Sequence, residues 1–352
     1  MSFAPRSAAP GPSTNAVDAT ASPDSAFVDV GAADVGTADM GTAALPGRNV
    51  LDIEIVRSLS HRSDMRGLLR FGAHLCCLVA TGSLVWLSQG TWYLLIPAMA
   101  LHGCVIVTMF APMHECVHYT AFKSRRLNDI CGWIAGTLCF YNSTYFRRYH
   151  TWHHRFTQDH QRDPELATPK PRKLLDYVVH ISGMPFWLWK PRELAGIAVG
   201  RLGRYPYIPP HARRETTISG AAQMAVYLAA CAYSVAFGST FLLYYWLLPA
   251  ILGQPLLRAI LIVEHTGCSE DSNGLTNTRT TLTMWPVRLL MWNMPFHAEH
   301  HLYPSIPFHQ LPRAHSQLAN NLTHLAPSYM AANQTVMRSL RAAPARGDQG
   351  RV

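Results

Sequence analysis

The stretch "WYLLIPAMALHGCVIVTMFAPMHECVH", Trp92–His118, decides how the chain reads. Trp92–Ala111 is apolar and as long as a helix that crosses a bilayer, which takes about 20 residues. "HECVH" then sets His114 and His118 four apart, so that in a helix both imidazoles leave the same face. A membrane span therefore delivers two candidate metal ligands within a turn or two of its end.

Three further segments read as spans: Phe71–Ser88, Thr217–Phe237 and residues 240–260. Pro97, Pro249 and Pro255 would kink these helices, which membrane bundles tolerate. The first two spans are joined by little more than "QGT" and the last two by "GS". Neither connection carries a charge, whereas residues 112–216 hold 16 Lys or Arg against 8 Asp or Glu. Arg57, Arg62, Arg66 and Arg70 precede the first span. The positive-inside rule then places both termini and the central loop in the cytoplasm. The expected fold is an all-α integral membrane protein: four transmembrane helices in two hairpins, with a cytoplasmic helical headpiece. Two shorter apolar stretches, "ICGWIAGTLCFYN" and "LLDYVVHISGMPFWLW", are expected to lie at the interface rather than to span.

Composition agrees with a partly embedded chain. Of 352 residues 49% are hydrophobic and 14% charged, against about 25% charged in soluble domains. The eight cysteines form no C-x-x-C pair, and Cys76, Cys77, Cys104 and Cys231 sit in apolar runs, which excludes zinc-finger and disulfide frameworks. The net charge of +9 is uneven: residues 1–46 carry five Asp and one Arg, in an Ala/Gly/Pro/Ser/Thr-rich context. This stretch lacks both the apolar content to order itself and the pattern of a secretory signal, and is expected to be a disordered, retained tail. The membrane domain is expected over 47–325, with a C-terminal tail over 326–352.

Two more clusters repeat one spacing. "HTWHH" offers His150, His153 and His154, and "HAEHH" offers His297, His300 and His301. His-x-x-His-His places three imidazoles on one helical face. His265 follows the end of the fourth span. On the expected topology all nine lie on one side of the membrane. Neutral imidazole suits iron, zinc, copper or nickel, and eight or nine such ligands suit two ions rather than one. His74, His102 and His180 are isolated and read as structural. A metal transporter would hold its ligands near the bilayer midplane, and no span contains an acidic residue before Glu264. The scattered basic residues follow from topology, so nucleic acid is not an expected partner.

"HECVH", "HTWHH" and "HAEHH" together resemble the three histidine boxes of the membrane fatty acid desaturase superfamily, whose relatives include membrane hydroxylases, carotenoid ketolases and alkane monooxygenases. The resemblance covers roughly residues 50–315 and extends to "RDPEL", Arg162–Leu166, and "NMPFHAEHHLYPSIPFHQLP", Asn293–Pro312. "VEHTG", Val263–Gly267, is similar to the motif that supplies a ninth histidine in the alkane monooxygenase branch, which points to His265. Stearoyl-type desaturases carry an Asn one turn before that histidine. Here Leu261 stands there, leaving Asn293 as a substitute. The third box begins with His297 rather than Gln, unlike the front-end subgroup.

The resemblance implies two non-haem iron ions held by His114, His118, His150, His153, His154, His265, His297, His300 and His301. It implies dioxygen as cosubstrate and a lipid or fatty acyl substrate drawn from the membrane. Glu115, Asp159, Asp163 and Glu299 are candidates for carboxylates that orient bound histidines. No dinucleotide motif, iron–sulfur spacing or fused haem domain is evident, so electrons would come from a separate ferredoxin, rubredoxin or cytochrome b5-like carrier. The basic headpiece is a candidate docking face. Desaturation is the leading expectation. A hydroxylase or monooxygenase acting on a lipid or hydrocarbon would use the same centre.

Overall fold

The structure, a computed structural model, describes residues 50–342; the expected N-terminal tail over 1–46 and the segment 343–352 lie outside them. The described chain is mainly helical. In order it forms α1 (Ile53–Leu59), α2 (Asp64–Leu87), α3 (Trp92–Val107), α4 (Phe110–Val117), α5 (Arg125–Leu138), α6 (Ser143–Phe156), α7 (Leu174–Ile181) and α8 (Met184–Ala198). After these come α9 (Pro210–Ala236), a π-helical turn Leu243–Leu247, α10 (Leu248–His265), β1 (Arg279–Thr281), α11 (Trp285–Leu290) and α12 (His297–Leu302). The last elements are α13 (Leu311–Leu318), β2 (His324–Ala326) and α14 (Tyr329–Ala342).

Four helical stretches are long and apolar enough to cross a membrane: Asp64–Leu87, Trp92–Val117, Pro210–Ala236 and Leu243–His265. Each overlaps one expected span and continues past its apolar run. The reason is capping chemistry. Ser63 accepts from the Arg66 N–H and starts α2 a full two turns before Phe71. Pro210 opens α9 in the first turn, where its missing N–H costs nothing. The second stretch is broken between α3 and α4 at Thr108–Met109. Pro112 has no N–H to give to the Thr108 carbonyl, which accepts from the Ala111 N–H at 2.9 Å instead, and α4 starts at Phe110 after this tighter turn.

Helix α3 packs against both α2 and α10. At the α3–α10 crossing the backbones touch: a Cβ on Gly103 would lie 1.8 Å from the Pro249 carbonyl oxygen, and one on Gly253 2.3 Å from the Gly103 carbonyl. Small residues at such a crossing let helices approach closely where lipid gives no hydrophobic drive. His102 links helices, with Nδ1 2.8 Å from Thr81 Oγ1 and Nε2 3.1 Å from the Tyr245 carbonyl. His74 Nε2 lies 3.0 Å from the Val105 carbonyl. Both are structural side chains, as expected.

The main core is built on the other side of these spans, around Met109, Met113, Phe122, Met291, Trp292 and Phe308. It draws α4, α5 and α6 together with the segment before the third histidine box. β1 and β2 pair in parallel, with Arg279 opposite His324. This two-stranded clamp holds the last box in place: Thr281 N–H donates to the Pro295 carbonyl at 2.9 Å, and Ala298 N–H to Thr280 Oγ1 at 3.2 Å.

The expected C-terminal tail needs correction. Tyr329–Ala342 is helical, and its buried Ala332 and Val336 pack with Tyr177, Ile262 and Val263. Those two residues are four apart and define an apolar stripe. Asn333 beside them donates to the Ala259 carbonyl at 3.0 Å.

Candidate metal centre

The histidine boxes come from four places in the fold. The first lies on α4 and its end, the second on α6, the third on α12, and His265 closes α10. Asn142 caps α6 by accepting from the Tyr145 N–H at 2.9 Å. The helix then presents His150, His153 and His154 to one side, all buried. α12 is only six residues long, and its three histidines are buried as well.

These side chains converge into two groups. His114, His118, His150, His154 and His300 have ring nitrogens within 4.8 Å of one another, and His153, His265 and His301 form a second such set. Within the first, His114 Nε2 is 2.9 Å from His300 Nε2, and His154 Nε2 is 2.9 Å from His150 Nε2. Within the second, His153 Nε2 is 3.2 Å from His265 Nε2. The groups adjoin, since the His154 and His301 rings stack at 4.0 Å. His297 belongs to neither full set but borders the second, its Nε2 3.3 Å from His265 Nε2.

Buried nitrogens facing one another cannot all be satisfied as hydrogen-bond donors and acceptors, and a cation between them resolves the conflict. His301 is the sharpest instance. Its Nδ1 lies 3.3 Å from Thr157 Oγ1, while its buried Nε2 has no hydrogen-bond partner. The electrostatics agree. Burial, then neighbouring histidines, pulls His150, His154 and His301 well below the usual histidine range, and burial followed by His153 takes His300 to about 3. Such rings are neutral and keep a lone pair for a metal.

His153 differs. Burial alone would lower it, but Glu165 and Asp163 outweigh that and raise it to about 9. Its Nδ1 donates to Asp163 Oδ1 at 2.9 Å, and its Nε2 stands 3.7 Å from Glu165 Oε2. Asp163 would itself be raised by burial, yet His153 and the Gln158 and Glu165 N–H groups hold it below the usual carboxylate range. A site that holds a proton between two carboxylates is equally suited to a metal cation at Nε2. Residues present here therefore fit two nitrogen-ligated ions.

The sequence matches the fatty acid desaturase family over residues 90–333. This chain belongs to that family. Characterised relatives lie at low identity. An sn-1 oleoyl-lipid 12-desaturase of Picosynechococcus sp. is 23% identical over 78% of this chain and 82% of its own length. A delta-12 fatty-acid desaturase of Vernicia fordii is 26% identical over 67% of this chain and 69% of its own. A delta-12 acyl-lipid conjugase of Momordica charantia is 23% identical over 72% and 73% respectively. Membership of the desaturase family implies an iron centre, and the two histidine groups are where this member has the ligands to hold one.

The supporting carboxylates were only partly legible. Of Glu115, Asp159, Asp163 and Glu299, only Asp163 touches a grouped histidine. Asp159 accepts from Arg162 Nε at 2.8 Å and from the Gln161 N–H, closing its own turn at the surface. Glu115 accepts from the Phe308 N–H at 2.9 Å, and Glu299 binds Thr280 and His315. Both brace the third box without touching a grouped histidine. Asn293 is likewise turned away, its amide donating to the Phe308 carbonyl at 2.9 Å.

Three contacts escaped sequence reading. The Asn277 carbonyl lies 3.2 Å from His265 Nδ1, and Gln158 Nε2 donates to the His265 carbonyl at 2.8 Å. Thr157 faces His301 as described. Gln158 adopts φ 69°, in the left-handed region that a non-glycine residue enters only under constraint. His180, read as structural, lines a cavity of about 560 Å³ that reaches His114, His150, His153, His265 and His297.

Proposed function

We propose that this protein is a membrane di-iron desaturase of fatty acyl chains. The observation that carries this reading is the cavity beside both histidine groups. It is walled by Phe110, Phe146, Phe186, Leu261 and Ile262, and its volume suits a single extended apolar ligand. An acyl chain entering it would pass the buried imidazoles. Two of the relatives named above are lipid and fatty-acid desaturases and the third is an acyl-lipid conjugase.

His114, His118, His150, His154 and His300 would hold one ion, and His153, His265 and His301 the other, with His297 completing the second. Bound iron supplies dioxygen activation and one-electron chemistry toward an unactivated C–H bond. The chain's own residues do the rest. Asp163, the Asn277 carbonyl and Thr157 fix the Nδ1 sides of His153, His265 and His301, so that each Nε2 faces inward. Phe110 and Phe146, packed at 5.4 Å between ring centroids, keep the chamber wall dry beside His114 and His150.

We further propose that the four spans form two hairpins, with the histidines and both termini on the cytoplasmic side. Electrons would come from a separate ferredoxin, rubredoxin or cytochrome b5-like protein docking on the basic headpiece.

Lipid mass spectrometry of cells expressing the protein beside a His301→Ala control tests the reaction. A species two hydrogens lighter, absent in the control, is expected. A histidine-dependent gain of one oxygen would move the protein to the hydroxylases, and the absence of either product with iron and carrier present would reject the reading.

A further inference from the structure

The cavity beside the histidines is polar in two separate places. Asp163, Glu165, Glu264 and Lys170 line its histidine end, whereas Arg258 and the Lys190–Glu193 pair line it elsewhere. Arg258 stands seven residues before His265 on α10, about 10 Å along the helix. An arginine within a membrane-spanning helix is costly and calls for a partner. Its Nη2 donates to Tyr141 Oη at 2.7 Å, and its guanidinium lies 5.1 Å from the Phe186 ring centroid. Among the described residues no carboxylate is within ion-pair distance of it, and its buried Nε has no hydrogen-bond partner. Lys190 sits beside it, 4.3 Å over the Tyr141 ring and paired with Glu193. The acids nearest in the cavity stand against histidines, Glu165 at 3.7 Å from His153 Nε2 and Glu264 at 3.5 Å from His297 Nε2, so the Arg258 charge reaches both only through space while Glu264 Oε1 has no hydrogen-bond partner.

The surroundings show what this cation meets. Helix α8 leaves Met184, Leu188 and Trp189 exposed, Trp189 at 71%, and Trp189 and Lys190 both border the cavity. Exposed apolar side chains beside a basic one on a short helix are the pattern of a segment lying in a membrane interface. Gly183, at φ 72°, starts α8 so close to α10 that a Cβ there would meet Gln254 Cβ at 2.7 Å. That contact holds Phe186 and Lys190 next to Arg258. The cavity thus carries Arg258, with Lys190 beside it, where α8 meets α10, and the histidines elsewhere along its wall.

We propose that Arg258, braced by Tyr141 and flanked by Lys190, binds the oxyanion in the head of the acyl substrate, a lipid phosphate or the carboxylate of a free fatty acid. The planar guanidinium suits two-point recognition of either group. Holding the head there fixes how far along its chain the substrate meets the histidines. Arg258 is therefore a positioning residue, and the inference rests on the desaturase reading above.

Competition binding tests it. Purified iron-loaded protein in neutral detergent is offered equal amounts of dioleoyl phosphatidylglycerol, oleate and dioleoyl monogalactosylglycerol, and retained lipid is read by native mass spectrometry. The wild type is expected to retain one of the anionic ligands over the neutral one. Phosphatidylglycerol in excess identifies a phosphate site, and oleate in excess a carboxylate site. Arg258→Gln is expected to weaken the preferred anion about tenfold, with Arg258→Lys restoring most of it and iron content unchanged. Equal retention of the galactolipid by the wild type overturns the proposal, as does an unchanged preference in Arg258→Gln. If that variant does not fold, the wild-type competition still decides. Anion preference in a protein that makes no desaturated lipid would keep this site and reject the desaturase reading. Desaturation without anion preference would do the reverse.

Discussion

Asp159 and Asp163 are four residues apart after the second box, and only one reaches the centre. Asp159 is consumed by Arg162 and the backbone of its own turn, while Asp163 accepts from His153 Nδ1 and from the Gln158 N–H at 2.8 Å. The choice depends on how the chain folds back after Gln158, a tertiary event that residue spacing does not encode. The histidines themselves were legible because His-x-x-His-His acts locally, through helical periodicity. His265 was legible only through its resemblance to a known motif, since one histidine at a helix end carries no pattern. Asp163→Asn keeps the shape and removes the charge, and is expected to weaken iron binding by about 10- to 100-fold, read as metal retained against a chelator. Asp159→Asn, changing only a surface turn, is expected to leave iron retention unaltered in the same assay.

At the scale of elements, the four apolar helices follow from length and composition alone. Their packing does not. Nothing in the order of segments required α10 to lie against α3, yet at the Gly103–Gly253 contact the two backbones meet with no room for a side chain. Gly103→Leu would drive a side chain into the Pro249 carbonyl. Overpacking a well-filled site costs about 1–3 kcal/mol, and backbone cannot yield as a side chain does. The variant is expected to lose the upper end of that range or more, seen as a lowered thermal midpoint or loss of monodisperse protein. Helix α14 was missed for a different reason. Its stripe of Ala332 and Val336 is short and small, and becomes apolar burial only against Tyr177 and α10.

The whole molecule joins four apolar helices to a polar part that carries the histidines, and the uneven charge is the basis of the proposed direction. On the proposed topology, reporters fused in the turns at residues 88–91 and 238–239 fall on the side away from the cytoplasm. Alkaline phosphatase is expected to be active there and inactive after residue 325, and the opposite pattern would invert the topology. On the proposed function the cavity, with Arg258 where α8 meets α10 and imidazoles elsewhere along its wall, would take a lipid chain from the membrane side and electrons from the cytoplasmic side. All of this depends on two metal ions being present. Metal analysis of purified protein beside His301→Ala and His150→Ala is the most direct test. About two iron ions per chain are predicted for the wild type, with each variant losing metal. A wild-type protein that folds, resists iron loading and binds none, or holds the same iron without His150 and His301, would contradict a histidine-ligated di-iron centre.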